Sequence, residues 1–188
     1  MLINDFKEYC KNKNIVIVGN SSTLQYSKYS HLIDSHDIVV RINNAYPIKN
    51  EFRKNIGIKT DVYAISISRK DIAKSKLKGN NLKYILRLNK FEKDLPYENI
   101  IYGNRKEYNE LKLKFNNFKP STGSIIINFF KNNIDYKKLT LIGFDFFKSE
   151  SSIIKNKFGS FKYREHSEFY EKQFVYTALK NNKIHLVK

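Results

Sequence analysis

The sequence predicts a three-layer α/β sandwich, a sheet covered by helices on both faces. Two observations carry this. Short β-branched runs without polar alternation recur along the chain, as expected of strands buried on both sides. Between them lie segments with helical period or polar turn residues, so strands alternate with helices throughout. With 188 residues and no internal repeat or low-complexity linker, residues 1–188 read as a single domain around one core.

Taken in order, residues 2–10 predict a short amphipathic helix through Leu2, Ile3, Phe6 and Tyr9. Residues 15–18 predict the first strand, ended by Gly19. The polar turn that follows holds Ser21, Ser22 and Thr23 as N-cap candidates and becomes helix-compatible from Leu24. A second strand at 38–40 ends at Arg41-Ile42-Asn43. Residues 53–59 read as a loop punctuated by Gly57, and 60–66 as a third strand. Helical character over 69–78 stops at Gly79, and strands follow at 84–88 and around Ile100-Ile101. A helix with a polar face spans 106–115. Pro120-Ser121-Thr122-Gly123 precedes an apolar helix from Ile125, capped by Ser121 or Thr122. A strand at 139–143 empties into Phe144-Asp145-Phe146-Phe147, where open α/β sheets place ligands. Residues 148–162 have no clear period and read as a loop. A helix from Ser167 to about residue 181 and a strand at 184–187 close the chain.

Composition bounds the function. A hydrophobic fraction of 41%, with 14 Phe and 13 Tyr, is too rich for a disordered chain despite a mean hydropathy of −0.55. The net charge is +17, but it is mostly Lys spread over the whole length, so solvated faces are the first reading. Attraction to an anionic membrane surface or an acidic glycan is the second. No aromatic-basic motif of the known modules is present, so nucleic acid is not an expected partner. The single cysteine, Cys10, excludes an internal disulfide and a Cys-based metal site. The N-terminal residues have charges every few positions and resemble neither a signal peptide nor a membrane span. The expected location is cytoplasmic, peripheral at the inner face of the membrane at most.

The turn after Gly19 leaves backbone N–H groups at the end of a strand, a geometry that suits an anion. Pro120 to Gly123 offers the same physics: hydroxyls of Ser121 and Thr122 and the N–H groups around Gly123 would meet a phosphate or ribose, although the segment is also a good helix start without a ligand. Asn20 and Asn43, each at a strand end, would supply amides for base or sugar hydroxyls. Of the four histidines, none has a metal-ligand spacing, and no metal or other cofactor is expected. His166 differs from the rest by its place at a loop-to-helix junction, where histidine suits general-base work. Glu171 follows five residues later, about 140° around a regular helix. It is therefore a poor direct partner for His166 and better placed to hold a neighbouring loop by accepting backbone hydrogen bonds.

Together these segments resemble a known family. VGNSSTL, IDSHDIVVRINNA and the G-x-KTD run resemble the long N-terminal motif of the family 29 sialyltransferases, and PSTGSIIINFF their short second motif. H-x4-E at His166 and Glu171 resembles their last motif, and all three stand in the family's order. The bacterial family 42 sialyltransferases look like more distant relatives through GFDFF at residues 143–147. The chain thus looks like a minimal, bacterial-like member.

The resemblance implies a Rossmann-like, GT-A-type fold without the Asp-x-Asp metal motif. It implies a catalytic domain that uses CMP-sialic acid as donor, inverts its anomeric configuration and delivers it to a glycan or lipooligosaccharide acceptor. Carried over, Asn20, Ser21 and Asn43 would contact CMP, with Gly19 and Arg41 in support. Ser121, Thr122 and Gly123 would bind the donor's phosphate, ribose or carboxylate, and Phe144 and Asp145 would lie against the cytidine. His166 would be the general base and Glu171 a supporting residue. The disulfide of the animal members falls on Ile15 and Ile134, so packing would replace it. Their His-Tyr motif is not recognisable between 148 and 164, with Lys162 and Tyr163 as stand-in candidates; their membrane anchor and stem are absent from this sequence. A CMP-Kdo-dependent transferase of the same fold and a non-catalytic nucleotide- or glycan-binding module are the competing readings.

Overall fold

The computed structural model describes residues 2–66, 82–92, 97–146 and 166–187. Helix α1 (Leu2–Cys10) turns Phe6 and Cys10 inward from one face, four residues apart, and leads into β1 (Asn14–Val18), whose last four residues are fully buried. A 3₁₀ turn (Ser22–Tyr26) and α2 (Ser30–Asp34) connect to β2 (Ile38–Ile42). Short α3 (Arg53–Ile56) precedes β3 (Val62–Ala64), and β4 (Tyr84–Arg87) and β5 (Ile100–Tyr102) follow. Then come α4 (Arg105–Lys114), α5 (Thr122–Asn133), β6 (Lys138–Ile142), α6 (Glu168–Ala178) and β7 (Ile184–Val187).

All seven strands pair in parallel in one sheet of order β5-β4-β3-β2-β1-β6-β7. The larger core lies on one face, where Phe6, Ile127 and Phe130 meet Ile15, Ile17, Val40 and Leu141. Two smaller clusters, around Val16, Ile33 and Ile142 and around Tyr63 and Ile85, occupy the other. Both faces are covered, which is why the strands lack polar alternation. The chain leaves β1 toward β2 on one side and returns to it through β6 on the other, so a crevice opens beyond the ends of β1 and β6.

Two local expectations are corrected, and others fall outside the described residues. The loop expected at 53–59 contains α3, stopped by Gly57 at φ 72°, where Ile58 and Lys59 N–H groups are held by Asp34. No long helix runs from Leu24: Ser21 Oγ caps Thr23, and the Ser27 hydroxyl closes on the Leu24 and Asn55 carbonyls, ending the segment after one 3₁₀ turn. The helix expected over 69–78, the loop at 148–162 and the candidates Lys162 and Tyr163 lie outside the described residues. Ile15 and Ile134 belong to the same buried cluster.

Candidate active site

The first two glycines beyond the central strands bring β1 and β6 into contact. Gly19 N–H donates to Ile142 O at 2.8 Å, and a Cβ on Gly19 would stand 2.4 Å from Gly143 O. Only a residue without a side chain lets the two strand ends close to this separation. Across this junction Ser21 Oγ donates to Asp145 Oδ2 at 2.9 Å. With that proton spent, Thr23 is the donor in the 2.7 Å contact between the Ser21 and Thr23 hydroxyls. Asn20 lies beside them, its Oδ1 buried and without a hydrogen-bond partner.

Asn43 takes φ 43° at the end of β2, a left-handed conformation that asparagine tolerates. Its amide faces two ways. Nδ2 donates to Thr122 Oγ1 at 3.1 Å, while Oδ1 accepts from Ser66 N at 3.0 Å and Ser66 Oγ at 3.3 Å. The Thr122 hydroxyl donates to Ser66 Oγ at 2.5 Å, and Asn89 Nδ2 holds Ser66 O at 2.8 Å. A polar chain thus runs along the ends of β2, β3 and β4 and ties them to the start of α5.

Ser121 caps α5, its Oγ accepting from Ser124 N at 3.2 Å. Of the two cap candidates, Ser121 is the cap and Thr122 the first helical residue. The N–H groups of Thr122 and Gly123 belong to the first turn and have no intrahelical acceptor. Gly123 packs under the Phe144 ring: an added Cβ would lie 2.7 Å from Cε1. The Ser121 hydroxyl, expected to meet a ligand, instead donates to Glu171 Oε2 at 2.8 Å. Ser121 N donates to Oε1 at 2.6 Å, and the Ser124 hydroxyl adds a further short bond to Oε2. Glu171 is only 4% exposed. Burial pushes its carboxyl above the ordinary range, against the opposite pull of the Ser124 and Ser121 hydrogen bonds and of His166.

His166 precedes the Ser167 cap of α6, outside the helix, and its Nδ1 lies 2.6 Å from Lys119 O. A carbonyl only accepts, so Nδ1 carries the hydrogen and the neutral ring has its lone pair at Nε2. Residue 119 directly precedes the Pro120-Ser121 start of α5, which fixes the imidazole beside that helix end. Glu171 does not bond to His166; it holds the Ser121 backbone instead, as the five-residue spacing implies.

Arg41 is placed elsewhere. It is fully buried, with Nε donating to Lys59 O and Thr60 Oγ1 at 3.0 Å and Nη2 to Ile56 O at 2.8 Å. Burial lowers its pKa to about 10, with Asp34 acting the other way. Its contacts hold the segment between α3 and β3, so its support for the site is indirect. His36 is likewise structural, bound to Leu32 O and Thr140 Oγ1, while His31 and His185 are exposed.

The structure therefore gathers Gly19, Asn20, Ser21, Asp145 and Phe144 at one junction, linked through Gly123 and Thr122 to Asn43, with Glu171 and His166 behind the same helix start. Sequence reasoning missed Ser66, Asn89 and the Lys119 carbonyl. The rule that singled out Asn20 and Asn43, a polar residue at a strand end, applies equally to Ser66 and Asn89. A cavity of about 500 Å³ opens between α1, β5, α4 and α5, but none of these site residues lines it. Among the described residues no group of three or more His, Cys, Asp or Glu is placed to hold a metal ion. No helix among them is long and apolar enough to cross a membrane.

The model of glycosyltransferase family 29 (sialyltransferase) matches residues 5–121. The chain belongs to this family. The matched residues run from α1 to the α5 cap and include Gly19 to Ser21 and Asn43. A curated family 29 relative is the β-1,6-galactosyltransferase GALT29A of Arabidopsis thaliana, 51% identical over 51 residues, which is 27% of this chain and 12% of the plant enzyme. In fold the chain is similar to a mammalian sialyltransferase, with a TM-score of 0.65 at 18% identity, covering 94% of this chain and 69% of that one. The mammalian sialyltransferase solved with Gal-β-1,3-GalNAc-ortho-nitrophenol is similar at a TM-score of 0.64 and 20% identity, covering 94% and 70%. This family 29 chain thus shares the parallel α/β architecture of those enzymes.

Proposed function

We propose that the chain transfers sialic acid from CMP-sialic acid to a glycan hydroxyl with inversion, acting in the cytoplasm on an acceptor such as a lipooligosaccharide at the inner face of the membrane. The observation that carries the catalytic part is the His166 Nδ1 contact with Lys119 O, which assigns the basic lone pair to Nε2 beside the start of α5. The acceptor hydroxyl gives its proton to Nε2 as its oxygen forms the new bond to the anomeric carbon. The bond from that carbon to the phosphate oxygen breaks, and CMP leaves with the electron pair. The first-turn N–H groups of Thr122 and Gly123 stabilise the phosphate charge without a metal. Asn20, Ser21 and Asn43 hold the nucleotide, and Phe144 and Asp145 lie against the cytidine.

His166→Ala is expected to retain CMP binding by calorimetry and to lose about 10²-fold or more of the transfer rate. Transfer at the unmodified rate would remove the base assignment. The plant relative favours a second reading, in which the donor is a nucleotide-activated galactose. Supplying CMP-sialic acid, CMP-Kdo and nucleotide-activated galactose separately, with product mass as readout, decides the donor. CMP affinity without transfer or donor hydrolysis would indicate a binding module.

A further inference from the structure

We infer that the ridge formed by the end of α4, the turn after it and the first turn of α6 docks on an anionic lipid bilayer. Leu113, near the end of α4, and Phe169 are 67% and 66% exposed, and Phe118 is exposed as well. The rings are contiguous: Phe118 lies 5.8 Å from Tyr170, and Tyr170 lies 5.2 Å from Phe169. Beneath them buried Phe115 packs 6.5 Å from Tyr170 and 5.6 Å from Phe174, anchoring the ridge in the core. The turn that presents Phe118 is held by Asn117 N to Lys112 O and Phe118 N to Phe115 O, both 3.0 Å, with Asn116 and Asn117 left-handed.

Cations surround this apolar crest. Lys112 and Lys114 end α4, Lys119 follows Phe118, and Lys172 lies three residues beyond Phe169 on α6; the acids on the two helices are Glu107 and Glu110 on α4 and Glu168 and the buried Glu171 on α6. Aromatic rings at the centre with lysines at the margin match a bilayer interface, where rings enter the headgroup boundary and ammonium groups meet anionic lipid. The charge excess, local and over the whole chain at +17, commits the partner to an anionic surface. Because His166 bonds to Lys119 O, docking presents the candidate base to a membrane-borne acceptor. That last consequence rests on the proposed function; the lipid binding does not.

The chain contains no Trp, so Phe169→Trp supplies a single reporter in a conservative change. Its emission is expected to shift to the blue with phosphatidylcholine vesicles containing phosphatidylglycerol and to stay unchanged with phosphatidylcholine alone. In vesicle flotation, the triple change Lys112→Gln, Lys114→Gln, Lys119→Gln and the double change Phe118→Ser, Phe169→Ser are each expected to weaken binding about tenfold or more. A control, Lys131→Gln, Lys137→Gln, Lys138→Gln, removes equal charge at the opposite end of the sheet and is expected to leave binding nearly unchanged. An unshifted emission, equal losses in the two lysine triples, or full binding by the Phe variant would overturn the inference. So would a dimer, seen by sedimentation, that the Phe changes dissociate. All of these readouts are taken without donor, so they stand whether or not transfer is observed.

Discussion

Ser121 and Glu171, fifty residues apart, are joined twice: the Ser121 N–H and hydroxyl each donate to one oxygen of the same carboxylate. The start of α5 is thereby held by the first turn of α6, beyond what its own cap provides. Glu171→Ala leaves the Ser121 N–H and the Ser124 hydroxyl without this acceptor and is expected to cost about 2–3 kcal/mol. Denaturant unfolding measures it, and a loss within experimental scatter would show that the carboxylate does not hold the helix start.

Glu171 also sets a pH dependence. Its carboxyl is raised above the ordinary value of 4.5 in the folded chain. Between that value and the raised one, the native state keeps a proton that the unfolded state has lost. This contribution to stability is fully present below about 4.5 and is lost as pH rises through the folded value. The melting temperature of the unmodified chain relative to Glu171→Gln is expected to fall as pH rises across that window. A constant difference would contradict the raised carboxyl.

Two glycines separate fold from site. An added methyl on Gly19 meets the backbone oxygen of Gly143, which cannot swing away, whereas on Gly123 it meets the edge of the Phe144 ring, which can. Gly19→Ala is expected to destabilise by about 2 kcal/mol or more through strain at the β1–β6 junction. Gly123→Ala is expected to cost less stability and to weaken CMP binding by displacing Phe144. Melting curves paired with calorimetry test the contrast; equal stability losses would remove it.

Asn43→Ala removes three hydrogen bonds that tie β2 to Ser66 and Thr122. The expected cost is about 1–3 kcal/mol, with CMP affinity falling alongside. Ser66→Ala, which spares the Asn43 bond to Thr122, is expected to fall between this variant and the unmodified protein. An Asn43→Ala protein that binds CMP at full strength would place the nucleotide elsewhere.

Much of the architecture was legible because burial on both faces writes itself locally. The run at 15–18 is short, β-branched and continuous, and it became β1 with its start shifted by one residue. The start of α5 was equally local, narrowed to Ser121 or Thr122 as its cap, since a helix end depends on a few neighbouring groups. The segment at 53–59 was misread because α3 is a single turn whose end is held by Asp34, more than twenty residues away. Ser66 and Asn89 were missed for a related reason: a polar residue at a strand end gains meaning only when the neighbouring strand is known.

The sequence by itself determined the alternation of strands and helices, the start of α5 to within two cap candidates, and the strand-end residues from Gly19 to Ser21 and at Asn43, because each follows from contacts within a few residues. Only the tertiary structure decided that Gly19 abuts Gly143, that Arg41 turns to the segment before β3, and that the Ser121 hydroxyl belongs to Glu171. It also decided that Nδ1 of His166 faces Lys119 O, which leaves the lone pair of the neutral ring on Nε2. Parallel pairing and helix packing bring these groups together across tens of residues, and local sequence pattern carries no record of which distant partner a side chain meets.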